Sequence, residues 1–175
     1  APIITNVSIL HTDIFDGQLE LNWIPPFEID TVLFPKPYSY RVNRREGFSS
    51  EISLSKSDII TDTFYIDNKI NTLDKIYNYI VEVFSDLDTS SFESSYSASS
   101  VRLELNGKQN SIELNWDFEV PWSNSSSLYP MHYIYRNNVA ENNEDEFILI
   151  DSVDVIESGF KYFDKGEFNG INLDE

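Results

Sequence analysis

The chain is predicted to be all-β: two tandem β-sandwiches, the second incomplete. The first ground is an internal repeat. Glu20-Leu21-Asn22-Trp23 returns as Glu113-Leu114-Asn115-Trp116 at an offset of 93 (113 − 20). Val42-Asn43-Arg44 returns as Ile134-Tyr135-Arg136 at 92 (136 − 44), and Phe64-Tyr65-Ile66-Asp67 as Lys161-Tyr162-Phe163-Asp164 at 97 (164 − 67). Three matches in one order at a nearly constant offset mean two copies of one unit. A unit of roughly 90 to 100 residues has the size of a small sandwich rather than of a solenoid repeat. The second ground is a period of two in hydrophobicity, set against the lack of a helical stripe in any window of about a dozen residues. The third is the Pro, Asn, Asp and Ser punctuation between the alternating stretches.

In sandwich lettering the first unit, residues 1–100, has strand A near 3–10. Strand B, 19–24, alternates Leu19, Leu21 and Trp23 against Glu20 and Asn22. Strand C, 38–44, sets Tyr38, Tyr40 and Val42 against Ser39, Arg41 and Asn43. C′ falls near 50–55 and E at 63–67. F, at 76–85, has the clearest pattern, with Tyr77, Tyr79, Val81 and Val83 on one face. G is expected near 95–101. The second unit, 101–175, repeats A near 101–105, with Val101, Leu103 and Leu105 on one face, then B at 112–117, C at 132–136, C′ at 146–153 and E at 160–164. No linker separates the units, which favours a fixed rod over beads on a string. The expected structural core is Trp23, Tyr77, Tyr79 and Trp116.

Composition narrows the function. Of 175 residues, 41% are hydrophobic and 14% aromatic, enough to fill small cores. Thirty acidic residues against 12 basic leave a net charge of −18, which repels phosphate backbones and anionic membranes; no nucleic-acid partner is expected. No apolar run approaches the roughly 20 residues of a membrane helix, so no membrane insertion is expected. Without cysteine there is no disulfide, thiolate metal site or Cys nucleophile. Ala1-Pro2-Ile3-Ile4 carries neither a basic n-region nor an h-region, so the chain reads as a mature fragment.

Candidate chemistry is sparse, and the chain is expected not to be an enzyme. The two histidines, His11 and His132, read as a solvated turn residue and as the opening of the second C strand. No Gly-x-Ser-x-Gly elbow accompanies them. No cofactor is expected. Asp164 to Glu175 spans twelve positions with an acid at each end, but Gly166, Phe168 and Asn169 break the EF-hand pattern. Weak surface calcium sites remain as readings of Asp86, Asp88 and Glu93, or of Glu144, Asp145 and Glu146, against that of hydrated acidic loops. Trp122-Ser123-Asn124-Ser125-Ser126 lacks the second Trp of a WSxWS box and lies after strand B, so that reading is dropped.

The most suggestive surface element is the B–C loop, 25–37, with Phe27, Ile29, Val32, Leu33 and Phe34 among four prolines. Loops at sandwich ends are where such folds bind, and an exposed apolar cluster there is a contact patch. The structural alternative is that Ile29 and Phe34 fold back to cap their own core or pack on a neighbouring domain. Asn6-Val7-Ser8 and Asn124-Ser125-Ser126 are Asn sequons. Asp30-Thr31-Val32 and Asp151-Ser152-Val153 have an Asp-Ser/Thr-apolar pattern, with Thr31 the better placed for modification because it lies in a loop.

Leu19-Glu20-Leu21-Asn22-Trp23-Ile24-Pro25-Pro26 resembles the B strand of a fibronectin type III domain. Leu73 followed by Tyr77-Asn78-Tyr79-Ile80-Val81 resembles that family's F strand, where a Tyr closes the E–F corner. The stretches from Pro37 to Gly47, Tyr96 to Val101 and Val120 to Asn124 are similar to the tandem fibronectin-like regions of large Bacteroidetes surface proteins. Those proteins carry a gliding-motility-associated C-terminal domain and leave the cell by type IX secretion. The Asp-Ser/Thr-apolar triplets resemble the O-glycosylation sites of such exported proteins, which makes Thr31 a candidate. The resemblance implies an extracellular or cell-surface location, neighbouring domains of the same long chain as partners, and a spacer or scaffold role in an adhesin-like protein. The alternative is recognition of a protein or glycan through the 25–37 loop. By the repeat offset, the F strand of the second unit is expected to begin just after residue 175, so that F and G are missing from the second unit.

Overall fold

The structure, a computed structural model, describes residues 1–47, 55–86, 90–118, 129–137 and 147–166, the side chains of 55 and 56 excepted. It is all-β, with several antiparallel sheets arranged in a β-sandwich-like manner. Two compact units form. One comprises Ala1–Arg102 with Phe118; the other comprises Leu103–Asp117 with the described residues from 129 onward.

In the first unit β1 (Ile3–His11), β2 (Gly17–Ile24), β3 (Tyr38–Glu46), β4 (Ser55–Lys56), β5 (Phe64–Ile70), β6 (Tyr77–Ser85), β7 (Glu93–Ser94) and β8 (Ala98–Ser99) follow in order. They make a three-stranded sheet, β1-β2-β5, and a second sheet, β4-β3-β6-β7, in which β8 also pairs with β6. The alternation read from the sequence is the burial pattern observed. Leu19, Leu21 and Trp23 are buried from the first sheet, and Tyr40, Val42, Tyr79, Val81 and Val83 from the second. Tyr38 faces Ser85 and Arg44 faces Tyr79, so nine residue pairs tie β3 to β6. Gly17 sits where the chain leaves the β1–β2 turn. A Cβ there would overlap the Ile70 carbonyl oxygen and the Thr72 side chain, so only glycine fits.

The expected single G strand is corrected. Residues 95–101 form no continuous strand: they hold only the two-residue β8, with β7 just before them at 93–94, and the cause is serine chemistry. Ser95 bonds Val81 twice, its N–H donating to the Val81 carbonyl at 2.8 Å and its Oγ accepting from the Val81 N–H at 2.9 Å. Ser100 does the same to Tyr77, by N–H at 3.0 Å and Oγ at 3.1 Å. Hydroxyls take over positions that a ladder gives to backbone carbonyls. Between them Tyr96 stands exposed.

The E–F corner forms around Tyr77. Its hydroxyl accepts the Asn71 N–H at 3.1 Å, while the Asn71 side chain accepts from Leu73 N and Asp74 N. Tyr79, by contrast, bonds Asp67 at 2.9 Å. Tyr77→Phe is expected to lower the stability of the first unit by about 1 kcal/mol, the worth of one such bond. An unchanged urea midpoint would show that the Asn71 bond contributes nothing.

In the second unit β9 (Arg102–Lys108), β10 (Ser111–Asp117), β11 (Met131–Asn137), β12 (Phe147–Asp154), the one-turn helix α1 (Val155–Ser158) and β13 (Lys161–Asp164) follow. They form a sheet β13-β10-β9 and a ribbon β11-β12. Trp116 and Ile134 are buried as Trp23 and Val42 are in the first unit. Two features depart from expectation. The strand read near 101–105 begins at Arg102, runs further, and leaves Leu103 and Leu105 exposed. The turn α1 is too short to register in a twelve-residue window, yet its cap is legible: the Asp154 carboxylate accepts the Ile156 N–H at 2.9 Å, and Gly159 follows the turn.

Candidate functional site

The 25–37 loop is built from its ends inward. β2 stops at Ile24 because Pro25 and Pro26 offer no N–H to a ladder. The chain passes Glu28 with φ at +56° and then turns tightly over Asp30. The Asp30 carboxylate accepts the N–H groups of Val32 at 2.9 Å and Leu33 at 3.2 Å, and its carbonyl accepts that of Phe34 at 2.8 Å. This Asx turn fixes the tip by satisfying three donors within five residues.

The root is held by aromatic packing. Phe34 stacks on Phe92, centroids 4.4 Å apart and planes 17° apart, and Tyr38 tilts against Phe92 at 5.8 Å. The Tyr38 hydroxyl donates to the Phe34 carbonyl at 3.2 Å, and Ser85 Oγ to that of Pro35 at 3.1 Å. The five apolar residues therefore divide. Ile29 and Phe34 are half-buried, and Phe34 belongs to the sandwich end through Phe92. Phe27, Val32 and Leu33 are 60%, 91% and 66% exposed. Thr31 is exposed at the tip. Nothing in sequence periodicity marks Phe92 as the floor of this loop, since it lies 58 residues beyond Phe34 and outside any strand.

The other candidates have structural employment. Trp23 and Trp116 are 3% and 7% exposed. His11 closes β1 and is exposed, its carbonyl accepting Thr72 Oγ1 at 2.8 Å. His132 accepts the Trp116 indole N–H on Nδ1 at 3.0 Å, with Phe160 beside its ring at 5.9 Å. Among the described residues no three His, Asp or Glu side chains gather as a metal ion would require. Glu93 pairs with the Ala1 amino group. Asp88, Glu144 to Glu146, Trp122, Asn124 and the tail after Gly166 lie outside the described residues. No described helix is long and apolar enough to cross a membrane.

Sequence reading missed a buried clasp made once in each unit. Arg44 Nη1 donates to both Asp67 oxygens at 2.7 and 2.8 Å, and Tyr79 adds its hydroxyl. Arg136 Nη1 does the same to Asp164 at 2.8 and 2.9 Å. Burial and the Asp67 charge push the Tyr79 hydroxyl far above the usual tyrosine range, so it remains a donor. The signal was present, because Arg and Asp recur within the second and third repeat matches. Tyr162, the counterpart of Tyr65, is raised to about 12 by burial and by its bond to Asp151.

His132 yields a pH prediction. Burial lowers its pKa below the ordinary 6.5, so the unfolded chain takes up a proton that the folded unit resists. Its contribution to stability is full above the unfolded value and declines as pH falls below it toward the folded one. Protonation of Nδ1 would also remove the acceptor of the Trp116 indole. Urea midpoints of the second unit are expected to drop between pH 7.5 and 5.5, and His132→Gln to remove most of that drop. An equal drop in the variant would assign it to the carboxylates.

Compared with known proteins, the chain matches no family model and no curated protein.

Proposed function

We propose that the two units are fibronectin type III-like sandwiches that act as a non-enzymatic spacer or scaffold within a larger secreted or cell-surface, adhesin-like protein. The observation that carries this reading is the duplication of packing devices rather than of reactive ones. The buried tryptophan and the Arg–Asp clasp recur in both units, and His132 is engaged in packing against Trp116 and Phe160. The three-stranded and five-stranded sheets of the first unit, with β7 and β8 both paired to β6 where one last strand was expected, and its tyrosine corner support the fibronectin-like reading. The fold by itself does not assign a role. The surface location and the type IX export route rest on the resemblance of Pro37 to Gly47 and the neighbouring stretches alone.

A second reading has its own observation. Val32 and Leu33 stand exposed on a turn pre-ordered by Asp30, with Phe27 exposed just before it, which lowers the entropy cost of binding a protein or glycan. One experiment separates the two. The chain and its Phe27→Ser/Val32→Ser/Leu33→Ser variant are compared on a glycan array and by crosslinking to the cell surface. The spacer reading expects identical profiles and melting temperatures, since exposed substitutions shift stability by only about ±0.5 kcal/mol. Saturable binding lost in the folded variant would replace the spacer reading with recognition.

A further inference from the structure

We propose that the outward face of the β11–β12 ribbon receives an extended polypeptide of another protein, whose alternate arginines stack on Tyr133 and Tyr135. Strand parity builds the face. Ile134 is buried, so its neighbours Tyr133 and Tyr135 point the other way, and they are 61% and 54% exposed. Tyr135 lies opposite Leu149, and directly opposed residues share a face. Met131, Phe147 and Leu149, exposed as well, complete an apolar surface around the two rings. The register irregularity of the ribbon passes over Ile150 on β12, so β11 keeps its period of two. Tyr133 and Tyr135 therefore repeat at about 7 Å, the spacing of alternate side chains in any extended segment.

The first unit specifies the chemistry of the occupant. At the offset of 92, Tyr133 stands where β3 has Arg41. Arg41 alternates with the buried Tyr40 and Val42 and so points outward. Its guanidinium carbon lies 5.1 Å from the centre of the Phe84 ring, and Phe84 is only 4% exposed. The second unit has an open aromatic face in place of that arginine-covered one. Its ribbon and α1 carry Asp151, Asp154 and Glu157 against one cationic side chain, Arg136, which is committed to Asp164. Exposed rings on an acidic element attract a cation. A guanidinium suits them best, being planar and weakly hydrated, on a methylene stem that matches Met131 and Leu149. A second copy of the chain is a poorer occupant, because each copy carries a net charge of −18. The exposed halves of these five side chains also amount to roughly 500 Å², short of the roughly 800 Å² per partner of a stable dimer. An uncharged glycan gains nothing from the carboxylates.

The test titrates the isotope-labelled chain with the synthetic peptide Ser-Arg-Ser-Arg-Ser-Arg-Ser and follows the tyrosine ring signals by NMR. Saturable shifts of Tyr133 and Tyr135 are expected. Replacing both by serine is expected to weaken binding about tenfold, the worth of two exposed cation–π contacts, whereas replacing both by phenylalanine should keep it within about twofold. Both tyrosines are exposed, and circular dichroism checks that each variant is folded. Equal affinity in the folded serine variant would overturn the proposal, since net charge alone would then attract the peptide. So would the absence of saturation up to about 5 mM peptide, or equal binding of the peptide with lysine in place of arginine. Ring shifts produced by cellohexaose and not by the peptide would give the face to a glycan. Shifts that grow with protein concentration without any peptide would give it to a second copy.

Discussion

Replacing Trp23 with alanine is expected to cost the first unit about 3–5 kcal/mol, the range for removing a large buried aromatic. Trp23 is buried at the centre of the core and meets the edge of Tyr40 at 5.5 Å and 69°. Its backbone N–H is engaged by the Thr63 carbonyl at 3.0 Å, so the strand does not readily shift to refill the space. Small domains have only about 5–15 kcal/mol in total, so the loss takes a large share. Trp23→Phe is expected to be far milder. The indole N–H meets no acceptor among the described residues, and phenylalanine sacrifices volume without breaking a hydrogen bond. Urea unfolding followed by far-UV circular dichroism measures both. An alanine variant within 1 kcal/mol of the parent would mean that Trp23 is not packed as described.

The second large effect is expected at Asp67. Asp67→Ala strands a guanidinium and a buried phenol together, because Arg44 and Tyr79 share this one carboxylate. Breaking one side of a buried pair typically costs about 3–5 kcal/mol. The Arg44 side chain retains 26% exposure and recovers some hydration, which brings the expectation to about 2–4 kcal/mol. Asp67→Asn should lie between, keeping acceptor geometry without charge. A cycle with Arg44→Met isolates the pair, since contacting residues are non-additive. Zero coupling in that cycle would reduce the clasp to a bystander of burial. Asp164→Ala should destabilise the second unit in the same direction, with the added loss of the Gly166 N–H bond at 2.9 Å.

Local rules made much of this fold readable. A side chain on a strand points to one face or the other by parity alone, so Leu19-x-Leu21-x-Trp23 and Tyr77-x-Tyr79-x-Val81-x-Val83 declared their buried faces without tertiary information. Parity failed at Leu103 and Leu105, because alternation shows that two residues share a face and not that anything covers it. It failed also at 95–101, where serine hydroxyls replaced ladder bonds. Ser95 and Ser100 look like ordinary polar strand residues until the partner strand is in place.

The candidate loop was legible in outline and not in detail. Four prolines and five apolar residues marked 25–37 as a stiff, sticky connection. Which of the five are available was settled by Phe92, whose ring takes Phe34 out of solvent and leaves Phe27, Val32 and Leu33 outside. Likewise the repeat placed Arg44 with Arg136 and Asp67 with Asp164, but gave no reason for arginine to meet aspartate. By itself the sequence determined the strand faces, the duplication and the buried tryptophans, since these follow from a period of two and a constant offset. Only the tertiary structure decided the clasps, the split last strand and the exposed half of the loop. Those depend on contacts between residues 12 to 58 positions apart, and no local propensity encodes such distances.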